Sequence, residues 1–218
     1  MFRQILYTQL KWTRGALATL AVVAFILPVG LWRAAHDDFF RSFTAMEIMR
    51  GFEALGPALA GVAFFCGFVA VAQPWAVDAA ARHVYPLSLP LTWARYVGMR
   101  FGAGALLLLV PTIALWLGAL LVLSLVELPP SLQGYPGTLA LRFLLGALLS
   151  YAAVFAVQYL SGRKAAHLLL GILVVVVAVV LLAEFTGNTK VLATLLGYLV
   201  QWPGPLAVFA EPWMLIDV

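Results

Sequence analysis

Five stretches free of Asp, Glu, Lys and Arg, each 18 to 26 residues long, dominate this chain: 15–32, 54–77, 101–126, 143–160 and 165–183. At about 1.5 Å per residue, helices of such lengths cross the roughly 30 Å of hydrocarbon in a bilayer. A helix also satisfies its own backbone hydrogen bonds, as any lipid-exposed segment must. The stretches therefore predict an all-α integral membrane protein with five clear transmembrane helices. Only 10% of the side chains are charged, against about 25% in soluble domains, and the mean hydropathy of +1.03 agrees.

The connecting segments carry weaker patterns. In residues 1–14, Arg3, Tyr7, Lys11 and Arg14 recur at spacings of four, four and three, with Phe2, Ile5, Leu6 and Leu10 on the other side. This predicts an amphipathic elbow helix lying in the interface ahead of the first span. Between 33 and 53, Phe39, Phe43, Met46, Met49 and Phe52 follow the candidate cap Asp38 and predict a second interfacial helix. Gly56, Gly61 and Gly67 in the second span, and Gly98 and Gly102 at the start of the third, are read as points where helices approach closely. Pro111 lies inside the third span, which is long enough to tilt or kink. Residues 127–138 read as a turn-rich loop. Residues 191–210 are uncharged, but Pro203, Gly204 and Pro205 interrupt them, so a sixth element is expected to be broken or re-entrant. The chain stops at EPWMLIDV without a polar tail, and the natural protein is expected to continue beyond it. Residues 1–218 are expected to form a single transmembrane domain.

Charge placement predicts orientation. With the amino terminus in the cytoplasm, the inner segments hold Arg3, Lys11, Arg14, Arg82, Arg95, Arg100, Arg163 and Lys164 against Asp78 alone. The outer segments hold Arg33, Arg41, Arg50, Arg142 and Lys190 against Asp37, Asp38, Glu47, Glu53, Glu127 and Glu184. That asymmetry follows the positive-inside rule and predicts a multi-pass protein of the cell (inner or plasma) membrane. The cations are explained by orientation, so no nucleic-acid partner is expected.

Catalytic motifs are missing. No lysine follows a glycine, so no phosphate-cradling loop of the G-x-x-x-x-G-K-[ST] type exists, and neither H-E-x-x-H nor G-x-S-x-G occurs. His36, His83 and His167 fall on different predicted segments. The lone cysteine, Cys66, sits in mid-span and reads as a small core residue. The spans offer Ser124, Ser150 and Tyr151 but no ionisable partner for them, which argues against an intramembrane hydrolase or an ion-coupled carrier. No catalytic residue, metal site or cofactor is expected, and energy for transport would come from another subunit.

Residues 73–100 form the longest polar interruption, with Asp78, Arg82, His83, Arg95 and Arg100 and three prolines. From Asp78 the order is an acid, the pair Ala81-Arg82, then Pro90, Tyr96-Val97 and Arg100. This order resembles the first cytoplasmic loop of ATP-binding cassette (ABC) type-two permeases, which carry glutamate, Gly-Thr and lysine where this chain has Asp78, Ala81-Arg82 and Arg100. The resemblance extends to the elbow helix, the short second cytoplasmic loop and the broken element near the end. It implies a permease half that pairs with a second copy or a related chain. It also implies that residues 74–100 form a coupling loop for a separate cassette ATPase, which would carry the ATP and Mg. The expected docking residues are Asp78, Arg82, His83, Val84, Tyr85 and Leu87, with a short helix inside 78–89. The alternative is a non-transporting membrane scaffold or assembly subunit, and a neighbouring reading frame for a cassette ATPase separates the two. Spans this apolar and aromatic suit an amphiphilic, lipid-like, peptide or glycan cargo, or mechanical work on a partner, better than a small ion.

Overall fold

The computed structural model describes residues 1–36, 56–80, 92–125, 133–159, 197–198, 201, 204, 206–210, 213 and 215–217. The helices among them are α1 (Phe2–His36), α2 (Gly56–Ala80), α3 (Trp93–Leu107), α4 (Leu109–Leu125), α5 (Pro136–Tyr159) and α6 (Ala207–Ala210). Two short strands, β1 (Gln133–Gly134) and β2 (Ile216–Asp217), pair antiparallel with Gln133 opposite Asp217. Four segments are long and apolar enough to cross a membrane: Phe2–Gly30, Gly56–Asp78, Ala94–Leu125 and Pro136–Gln158. The protein is thus a predominantly helical multi-pass membrane protein. The fifth expected span, 165–183, lies outside the described residues, as does most of the expected interfacial helix in 33–53.

The chain forms two compact units, Met1–Val154 with Pro212–Val218, and Phe155–Glu211. In the first, α1 packs against α2, α3 and α4, and α3 also touches α2. Large apolar side chains point outward: Ile26, Phe65, Ile113 and Leu141 are each more than half exposed. Inside, small residues pack among large ones: Ala24, Ala63, Cys66, Ala103, Ala119 and Ala147 are fully buried, as are Leu108, Leu115 and Phe143. This distribution suits lipid, where apolar area gives helices little reason to associate and close backbone approach does.

Two glycines permit that approach. At Gly67 of α2, a Cβ would lie 2.6 Å from the Tyr151 backbone nitrogen and closer still to Ser150 Oγ and the Ala147 carbonyl of α5. At Gly118 of α4, it would collide with the Phe25 carbonyl of α1 and sit 3.2 Å from Phe25 Cα. Of the glycines expected at helix contacts, Gly61 and Gly98 have open space around them, and Gly102 meets only Phe2 at 3.7 Å.

The amino-terminal helix corrects an expectation. No elbow precedes the first span: α1 is one helix of 35 residues. Its first four turns present Ile5, Gln9, Thr13 and Leu17, spaced by four, as a buried face, and Ile5 clusters with Tyr96 and Ala103 of α3. That packing outweighs the cost of Gly15, about 1 kcal/mol relative to alanine in a helix interior. The Thr13 and Thr19 hydroxyls donate to the Gln9 and Gly15 carbonyls at 2.8 and 3.1 Å, so neither threonine leaves a polar group unpaired.

The third span breaks where Pro111 requires it. Proline lacks an N–H and crowds the carbonyl four residues earlier. Helix α3 therefore ends at Leu107, and Leu108 N donates back to Ala105 O at 3.3 Å before α4 begins. Thr112 reinforces the restart, its hydroxyl donating to Leu108 O at 2.8 Å. Helix α5 starts on Pro136, a residue suited to the first helical position.

In the second unit, Gln201 N donates to Gly197 O at 2.8 Å and Gly204 N to Gln201 O at 2.6 Å. Bends at Gln201 and Gly204 then precede the single turn α6, so the described part of 191–210 is interrupted rather than one straight helix.

Candidate functional site

The polar stretch 73–100 is helical at both ends, because α2 continues to Ala80 and α3 starts at Trp93. These ends build a buried polar cluster. Trp75 and Asp78 stand one turn apart on α2, and Tyr96 and Arg100 one turn apart on α3, so each pair shares a helix face. Arg100 Nη1 donates to Asp78 Oδ2 and lies 2.9 Å from the Tyr96 hydroxyl. The guanidinium also sits 5.5 Å from the Trp75 ring centroid and 5.9 Å from that of Tyr96, within cation–π range. The two charged side chains are 8% and 1% exposed, so their neutralisation is internal.

The backbone of Arg100 gathers two further helices. Its carbonyl accepts from Gln9 Nε2 of α1 at 3.2 Å and from the Tyr151 hydroxyl of α5 at 3.4 Å. Tyr151 also donates to the Phe101 carbonyl at 3.1 Å, and its ring packs 5.1 Å from that of Phe101. Gly104 makes room for the phenol: a Cβ there would lie 2.6 Å from Tyr151 Cζ. Arg100 thus ties α1, α2 and α5 to α3. Three buried acceptors, Gln9 Oε1, Gln73 Oε1 and Asp78 Oδ1, take no hydrogen bond from the described residues.

In energetic terms the pair is a staple that resists being half-removed. Burying either ion alone costs several kcal/mol, and loss of one partner from a buried pair typically destabilises by about 3–5 kcal/mol. The guanidinium is held by a carboxylate, a phenol and two rings, so the arrangement neutralises the buried charge and joins α2 to α3. Among the described residues, no three His, Cys, Asp or Glu side chains come together.

Of the expected docking residues, the described part contains Asp78 alone, and its carboxylate is buried within the cluster. Arg82, His83, Val84, Tyr85 and Leu87, and most of the short helix expected in 78–89, lie outside the described residues. Sequence reasoning missed Gln9 and Trp75, and it named Tyr151 without its contact to the Arg100 carbonyl. Gln9 falls on the otherwise apolar side of α1, and a lone amide there was the available signal. At the opposite end of the unit, Arg142 stacks 5.4 Å from the Trp213 ring, and Trp213 lies 3.6 Å from where a Cβ at Gly56 would be.

Comparison with known proteins finds no matching family model, curated protein or solved structure.

Proposed function

We propose that this chain is the membrane-spanning permease subunit of an ABC-type exporter, which couples ATP hydrolysis by a separate cassette ATPase to export or to mechanical work on a partner. The reading rests on the order Asp78, Ala81-Arg82, Pro90, Tyr96-Val97 and Arg100, and one observation carries it furthest. Asp78, Tyr96 and Arg100, three positions of that order, meet in one buried cluster and brace the helix ends that frame residues 81–91. A push delivered to 81–91 would meet a rigid base tied through Arg100 to α1 and α5.

In this reading the catalytic machinery, ATP and Mg belong to the ATPase, and this chain pairs with a second copy or a related chain. Its amino terminus faces the cytoplasm, and residues 160–210 complete a fifth span and a sixth, broken element. Amphiphilic or lipid-like cargo is favoured, because the charged pair within the described spans is neutralised internally and offers an ion no compensating groups. The test is co-purification of the cassette ATPase from native membranes with Arg82→Glu/Tyr85→Ala. The double variant should release the ATPase while inserting normally. Unchanged co-purification removes the docking site, and no ATPase with the parent chain favours the scaffold alternative.

A further inference from the structure

Packing of α1 against α3 leaves its opposite face with a charge problem that the described residues do not solve. Arg3, Lys11 and Arg14 are all exposed and fall within about 80° of arc on a helix of 3.6 residues per turn. None of them makes an ion pair or a side-chain hydrogen bond with another described residue. Of the acids among the described residues, Asp78 is held by Arg100, and Asp217 lies with β1 at the far end of the unit.

The contact between Gln9 and Arg100 sets the depth of these cations. It puts Gln9 level with the polar ends of α2 and α3, where the uncharged runs of those helices begin. Arg14 is five residues further along α1, about 7.5 Å deeper at 1.5 Å per residue. Side chains on a helix lean toward its amino terminus, so Lys11 and Arg14 reach back up to that level, as long cationic side chains do at an interface. Tyr7, 68% exposed, lies within the arc and gives it the mixed aromatic and cationic character of a headgroup-facing surface.

We propose that Arg3, Lys11 and Arg14 bind the phosphates of anionic phospholipids in the adjoining leaflet. The inference requires only that α1 spans the membrane and is independent of the permease reading. It is tested with the full chain in nanodiscs of mixed phosphatidylglycerol and phosphatidylcholine, by the association of spin-labelled forms of each lipid. The parent prefers phosphatidylglycerol, and added NaCl weakens the preference. Each cation removed lowers it by up to about fivefold, so Arg3→Gln/Lys11→Gln/Arg14→Gln brings it close to parity while Arg14→Lys retains it. Equal association of the two lipids with the parent overturns the proposal, as does a preference that survives undiminished in the triple variant. Loss in Arg14→Lys equal to that in the triple variant also overturns it, since the charge is still present. Displacement of the lipid by inorganic phosphate beyond the effect of equal ionic strength would assign the site to free phosphate instead.

Discussion

Gln9 and Arg100 are 91 positions apart, yet the Gln9 amide donates to the Arg100 carbonyl at 3.2 Å inside the helix bundle. That contact places the start of α1 beside the start of α3, on the same buried face, with Ile5, Thr13 and Leu17, that carries residues 1–14 into the first span. It also makes Arg100 the meeting point of the bundle, because the same residue neutralises Asp78.

The two halves of the ion pair should be strongly non-additive. Asp78→Leu leaves a buried guanidinium uncompensated and should destabilise by about 3–5 kcal/mol, whereas Asp78→Leu/Arg100→Met replaces the pair with apolar volume and should recover most of that loss. Thermal unfolding of the purified protein in lipid measures both. Equal losses in single and double variants would mean that the charges are not buried against each other.

The hydrogen bonds to the Arg100 carbonyl matter far less. Gln9→Met removes one donor but also an acceptor that takes no bond from the described residues, and it should change stability by less than about 1 kcal/mol. Tyr151→Phe keeps the ring beside Phe101 and should cost about 0.5–1.5 kcal/mol. A loss from either as large as that from Asp78→Leu would show that the carbonyl contacts, not the ion pair, hold the helices.

Alanine substitution should separate the glycines that matter from those that do not. Gly118→Ala places a methyl group against the Phe25 backbone, which cannot swing aside, and should cost about 1–3 kcal/mol. Gly98→Ala enters open space and should be neutral or stabilising by up to about 1 kcal/mol. The same unfolding measurement ranks them, and the reverse order would contradict the packing of α1 on α4.

Much of this was readable from residues in order. Uncharged runs located the four described spans, because in lipid the absence of charge over a length is itself the physical requirement. Pro111 announced the break between α3 and α4 through its missing N–H. What could not be read was tertiary. The basic pattern of residues 1–14 fits an interfacial helix as well as a packed one, and the buried face of α1 decides between them. The glycine pair Gly98 and Gly102 has the right spacing but makes no close backbone approach, Gly98 facing open space and Gly102 meeting only Phe2, while Gly67, Gly104 and Gly118 act through close contacts that no spacing reveals. Asp78 and Arg100 were visible as charges bordering apolar runs, but their pairing depends on a contact between two helices.

Topology is open to direct labelling. In a background of Cys66→Ala, single cysteines at Gln4 and Tyr135, both exposed, lie at opposite ends of the first unit. In intact cells an impermeant thiol reagent should modify the Tyr135→Cys variant and spare the Gln4→Cys variant until the membrane is opened. Modification of the Gln4→Cys variant alone would reverse the membrane arrangement, and modification of both would contradict it; either outcome removes the reading of the cytoplasmic loop.

In the proposed function, a cassette ATPase drives this chain through residues held by the Asp78–Arg100 brace. ATP hydrolysis by the purified complex in lipid, with amphiphiles and peptides added one at a time, tests it most directly when the parent is compared with Asp78→Leu/Arg100→Met. The account predicts hydrolysis that an amphiphilic compound stimulates in the parent, and hydrolysis without stimulation in the stable double variant. Stimulation by a small inorganic ion alone, full stimulation in the double variant, or no hydrolysis in the parent complex would contradict it.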